Sequence, residues 1–327
     1  MAKLGAMEKA TAGFRIGADE NGLGPRLGPM LVTAVMARVT EEGAAIVGRK
    51  PRGGLAERLG DSKAMVAYGD VGLAEAWARA LVERGGGRAA AARTPDELAH
   101  AIASEDRAEL RAACPPHVEA QCWGAEGEAF TAPAELVRTI HGDLDRLEKK
   151  GVTIVAVRSE VLCAKRLNEG LAAGKNRFVM DLHAMERLIL SMRNDAGQDV
   201  QAVCGKVGGF GKYGGAFGPL GGRMHVVLEE SRARSAYMFP GLGEIAFVRD
   251  GDATDLLVAL SSMVGKWMRE ILMGRIVRHY QAIVPDLRGA SGYHDPVTAA
   301  FVEATRVTRK KRQVPEECFE RRGAEGG

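Results

Sequence analysis

Apolar residues fall in two kinds of pattern along this chain. Short, nearly continuous apolar runs bounded by turn residues predict strands, and the run over 30–39 is apolar enough to be covered on both faces. It follows another run over 14–18, and a turn rich in glycine and proline joins the two. The segments 152–157, 200–204, 224–228 and 244–248 read as further strands. Apolar residues at three-to-four spacing predict helices over 71–84, 133–150, 176–192 and 255–283, with a shorter one over 296–304. Residues 41–60 read as a polar connection, 85–127 as helices and loops of an insertion, and 205–222 as irregular, glycine-dense chain. The basic stretch from 306 reads as a frayed tail. Strands followed by helices predict an α/β protein with a mixed sheet.

Composition narrows the classes. The chain has 327 residues, 46% hydrophobic and 27% charged, which excludes wholesale disorder. A net charge of +3 gives no global field for a polyanion, so affinity for nucleic acid must come from local patches. The five cysteines are an odd set with no close pair and predict reduced thiols. No stretch reaches the roughly 18 apolar residues of a membrane span, and no apolar signal region opens the chain, so a cytoplasmic, membrane-free protein is expected.

Chemistry concentrates after the first strand, in Asp19-Glu20-Asn21-Gly22-Leu23-Gly24-Pro25-Arg26-Leu27-Gly28-Pro29. Two carboxylates at the end of a buried strand are costly without a cation beside them. Hard divalent cations take oxygen ligands, and glycines let backbone amides approach a phosphate or sugar. The pattern reads as metal-dependent phosphate chemistry or, alternatively, as an acidic cap before a tight turn. Two weaker motifs fail their context. Gly209-Phe-Gly-Lys-Tyr-Gly214 opens no helix, as a dinucleotide loop should, and Cys114, His117 and Cys122 lack a fourth zinc ligand.

The order of motifs resembles the type 2 ribonucleases H. Gly17 to Pro29 is similar to that family's opening motif, and Asp61-Ser62-Lys63 matches its Asp-Ser-Lys. Asn176 with Ala184-Met185-Glu186-Arg187 matches a helix that opens with Asn and carries Ala-Met-x-Arg. Gly251-Asp252, before the helix containing Ser261-Ser262, and Gly292-Tyr293 complete the series. The resemblance implies an RNase H-like fold over 12–305, with a five-stranded mixed sheet flanked by helices. A helical insertion would occupy 76–150, a helical C-terminal portion 253–305, and a flexible basic tail 306–327. It implies a monomer that hydrolyses the RNA strand of RNA–DNA hybrids, or ribonucleotides embedded in DNA, with Mg²⁺ or Mn²⁺. Asp19, Glu20 and Asp252 would be the catalytic metal ligands, and Gly22, Leu23, Gly24, Ser62, Lys63, Lys206 and Tyr293 would contact substrate.

Two positions depart from the family. Where it carries a fourth acid at a strand end, this chain has Gly205. Cys204 alongside would point to the other strand face, and Asp181 on the preceding helix is a candidate substitute. Leu23 stands where the family has an arginine, in a turn that contacts the ribose–deoxyribose junction. The sequence thus predicts a weakened endonuclease; the alternative is a degenerate relative that binds nucleic acid without cutting it.

Overall fold

The computed structural model describes residues 11–323 apart from 61, 68, 86–91, 119, 120 and 209. The strands are β1 (Gly13–Asn21), β2 (Met30–Val39), β3 (Val152–Leu162), β4 (Val200–Gly205), β5 (Val226–Glu230), β6 (Arg234–Phe239) and β7 (Gly243–Val248). The first helices are α1 (Glu41–Val47), α2 (Ser62–Met65), α3 (Gly72–Arg84), α4 (Pro95–Ile102), α5 (Arg107–Arg111) and α6 (Ala134–Lys149). After β3 come α7 (Ala164–Ala172), α8 (Arg177–Ala196), α9 (Gly251–Thr254), α10 (Leu256–Gln281), α11 (Pro296–Lys311) and α12 (Glu316–Phe319).

All seven strands form one mixed sheet in the order β3-β2-β1-β4-β7-β6-β5. β1, β4 and β7 run parallel at its centre, and the outer pairs are antiparallel. The sheet thus has seven strands rather than the five expected. β6 escaped the sequence reading because it opens with Arg234-Ser235, which interrupts any apolar run. α1 was likewise hidden in a polar connection; Thr40 caps it by accepting from the Gly43 amide at 3.1 Å.

β2 shows why the sheet is covered twice. Leu31, Val35, Ala37 and Val39 join a core with α3, α6 and α10, while Met30, Val32, Ala34 and Met36 join one with α8. Successive side chains of a strand alternate faces, so a continuous apolar run needs two layers. α10 is buried almost all round and packs across β1 and β2. Its approach depends on Gly17, where a Cβ would stand 2.2 Å from the backbone of Leu257.

The C-terminal segment is built into the fold instead of forming a flexible tail. α11 continues to Lys311, and the buried Arg309 donates to the Val302 carbonyl at 2.9 Å and lies over the Phe319 ring. Beyond α12 the chain pairs Glu320 with Leu27, and Arg321 is 3% exposed. Arg309 and Arg321 bury their guanidinium groups against carbonyls and a ring, while Arg306, Lys310, Lys311, Arg312 and Arg322 stay exposed. Among the described residues no helix is long and apolar enough to cross a membrane. The cysteines described are all free.

Candidate carboxylate site

The parallel strands β1 and β4 end side by side, Ala18 opposite Cys204. Asp19 and Glu20 follow on opposite faces of β1. Asp19 turns toward α10, where Ser262 hydrogen-bonds its carboxylate. Ser262 is in turn 2.9 Å from Ser62 on α2. Glu20 accepts the Leu23 amide at 3.0 Å, which closes the turn over it.

Asp252 joins this group from a distance of more than two hundred residues. It lies on α9, directly after β7, and a Cβ placed on Gly251 would be 3.6 Å from the Cα of Gly205. Burial raises the Asp19 carboxyl well above the usual range, and Glu20 and Asp252 raise it further while Ser262 pulls it down. Asp19, Glu20 and Asp252 therefore lie near one another at the carboxyl ends of the central parallel strands, beside Gly205. A Cβ on Gly205 would stand 2.5 Å from Asp19 Oδ1. The Asp19 carboxylate leans over the glycine, so the position of the missing acid is partly filled.

Asp181 approaches from α8 on the opposite layer. It is completely buried, and neither carboxylate oxygen has a hydrogen-bond partner. Burial raises its carboxyl, followed by the charges of Glu20 and Asp19. Cys204 packs into the same α8 layer, away from Asp19, as strand alternation requires.

The glycine turn is held from below by arginines. Arg177 donates to the Leu23 carbonyl at 3.2 Å, and Arg321 donates to the Gly28 and Gly22 carbonyls at 2.7 and 2.5 Å. Arg269 packs against Gly22 and lies 4.7 Å over the ring of Tyr293, which is 42% exposed. Leu23 is half-buried against the α8 layer, and Gly24 is exposed with open space above it. Lys206 follows Gly205, but its ammonium donates to the Ser231 carbonyl at 2.7 Å and faces the β5–β6 hairpin. Asp61 and the Lys63 side chain lie outside the described residues.

Sequence reasoning missed Arg321 and Arg177. Neither belongs to a motif; Arg321 reaches the turn only because the chain end folds back. Arg269 and Glu270 on α10 are both buried, with Arg269 donating to Glu270 at 2.8 Å. Among the described residues no group of three or more His, Cys, Asp or Glu side chains is gathered closely enough to hold a metal ion as it stands.

Solved structures similar to this chain are ribonucleases H. Bst-RNase HIII in complex with Mn²⁺ is 12% identical with a TM-score of 0.44, over 95% of this chain and 67% of that one. RNase HII from Archaeoglobus fulgidus, in a complex with PCNA, is 14% identical with a TM-score of 0.39, over 96% of each chain. Ribonuclease H2 from Pyrococcus horikoshii OT3 is 11% identical with a TM-score of 0.39, over 94% of this chain and 92% of that one. No family model matches the chain, and no curated protein does. What it does has to be argued from its own side chains.

Proposed function

We propose that this chain is an RNase HII-like endonuclease that hydrolyses RNA in RNA–DNA hybrids, or ribonucleotides embedded in DNA, with divalent metal. The observation that carries the reading is the meeting of Asp19, Glu20 and Asp252 beside Gly205, residues that the ordered motifs single out before any fold is known. Like carboxylates buried together are unfavourable unless a cation neutralises them. The oxygen-only donor set suits Mg²⁺ or Mn²⁺, and the two unpartnered oxygens of Asp181 are the kind of orphan a hard cation satisfies. The residues thus fit the group in chemistry, although among the described residues no three acids close around a common point as they stand.

Asp19, Glu20 and Asp252 would hold the metal. Bound there, it would activate water and stabilise the leaving oxygen of a phosphodiester. The protein's own part is positioning. Ser262, backed by Ser62, orients Asp19. Arg177 and Arg321 fix the turn by its carbonyls, and Gly24 is left exposed for close backbone approach to a sugar, while Gly22 faces Arg269. Tyr293, steadied by Arg269, presents an exposed ring beside the turn for stacking on sugar or base.

The test is an end-labelled duplex carrying one or several ribonucleotides, incubated with purified protein in Mg²⁺ and in Mn²⁺. Cleavage is expected, and Asp19→Asn is expected to lower it by more than about 100-fold, beyond the loss typical of groups that only orient a ligand. Tight, salt-dependent binding without cleavage by the wild type would favour the binding-only alternative, which the filled position at Gly205 keeps in play.

A further inference from the structure

We propose that Asp181 is the fourth carboxylate of this site, a cation ligand supplied by α8 in place of the strand-end acid that Gly205 lacks. The inference rests on the divalent-cation reading above.

Two other buried acids show what a purely structural carboxylate looks like in this fold. Glu186, on the same helix, accepts the amides of Gly218 and Leu220, the latter at 2.7 Å. Asp255 accepts the amides of Leu257 and Val258 at 2.9 and 3.1 Å. In each, backbone donors offset part of the cost of burial. Asp181 is just as buried and has none. The Tyr213 hydroxyl, a potential donor in the same layer, is engaged with Val207. The charges that act most on Asp181 are the acids Glu20 and Asp19, which oppose its ionisation.

A fold does not keep such a group for its own stability, because a buried carboxylate without donors favours the unfolded chain. It is useful if a cation supplies the missing partner. Glu20 projects from β1 toward the α8 layer, so a cation between Glu20 and Asp181 would neutralise both. Gly205 cannot contribute, and the Asp19 carboxylate already leans over it.

The experiment follows Mn²⁺ binding by electron paramagnetic resonance, and thermal unfolding in EDTA and in Mn²⁺. It compares the wild type with Asp181→Asn, Asp181→Ser and the control Glu186→Gln. Both Asp181 variants are expected to bind Mn²⁺ more than about tenfold more weakly, to lose the Mn²⁺-dependent rise in unfolding temperature, and to unfold in EDTA at or above the wild-type temperature. Glu186→Gln should keep the wild-type Mn²⁺ affinity. If the Asp181 variants bind Mn²⁺ as the wild type does, or are destabilised in EDTA with affinity unchanged, Asp181 is a structural acid and the inference is wrong while the cation reading stands. If the wild type itself binds no Mn²⁺, the cation reading fails and takes the inference with it.

Discussion

Gly205 is the residue at which this chain parts from the pattern its motifs otherwise follow. An acid at the end of β4 would share space with Asp19, whose Oδ1 stands 2.5 Å from where any Cβ would be. The crowding atom is the end of a side chain, so the backbone can keep its place while Asp19 moves. Gly205→Ala is therefore expected to change stability by less than about 1 kcal/mol and to lower ribonucleotide cleavage by about tenfold or more through displaced Asp19. Unfolding temperature and cleavage rate on the same preparation check this; a variant as active as the wild type would show that Asp19 has no fixed place. Gly17 is the contrasting case, because its Cβ would meet the backbone of α10 itself. The sequence could mark both glycines but could not say which one a helix rests on.

At the scale of elements, α10 organises the site. Its Ser262 reaches Asp19, its Arg269 packs on Gly22, and its N-cap is Asp255. The sequence placed this helix within a residue or two, since its apolar spacing and the acid before it are local signals. Burial pushes the Asp255 carboxyl up to about 7, against the pull of the Val258 and Leu257 amides and of Arg15. An acid raised in the folded state keeps its proton where the unfolded chain, with an ordinary aspartate carboxyl at about 3.9, has lost it. Its contribution to stability is full below about pH 4 and is lost as pH rises toward 7. Asp255→Asn keeps a good cap and removes that titration. The variant should gain stability relative to the wild type between pH 5 and pH 8, on the order of 3 kcal/mol. Denaturant unfolding at the two pH values decides it, and parallel profiles for the two proteins would refute it.

Across the whole molecule, charge is arranged locally, as the small net charge requires. A cavity of about 340 Å³ opens where α1, α6 and α10 meet the segment after α1, and Arg49, Lys50, Arg52, Arg58, Arg146 and Lys150 line it. Asp143 holds Arg58 and Arg146 at 2.8 and 2.9 Å. Leu256 also lines this cavity, six residues before Ser262 on α10, or about 9 Å along the axis. A duplex engaged at the carboxylates would pass within reach of these cations. Lys50→Gln with Arg52→Gln should weaken duplex binding uniformly across sequences and reduce the slope of log affinity against log salt by about 2. Titrations at several salt concentrations measure that slope, and an unchanged value would place the duplex elsewhere.

The sequence by itself determined the strands and helices around the site and which acids to watch. Asp19, Glu20 and Asp252 stand in short motifs whose residue types and order are legible without coordinates. Alternation along β2 and periodicity along α10 are likewise properties of neighbours in the chain. Only the tertiary structure decided the two edge strands' place in a seven-stranded sheet, the folding of the C-terminal segment under the glycine turn, and the partner state of Asp181. These depend on contacts between residues far apart in sequence. Whether a basic stretch frays or buries its guanidinium groups, and whether an acid finds donors, is set by what the fold brings beside it.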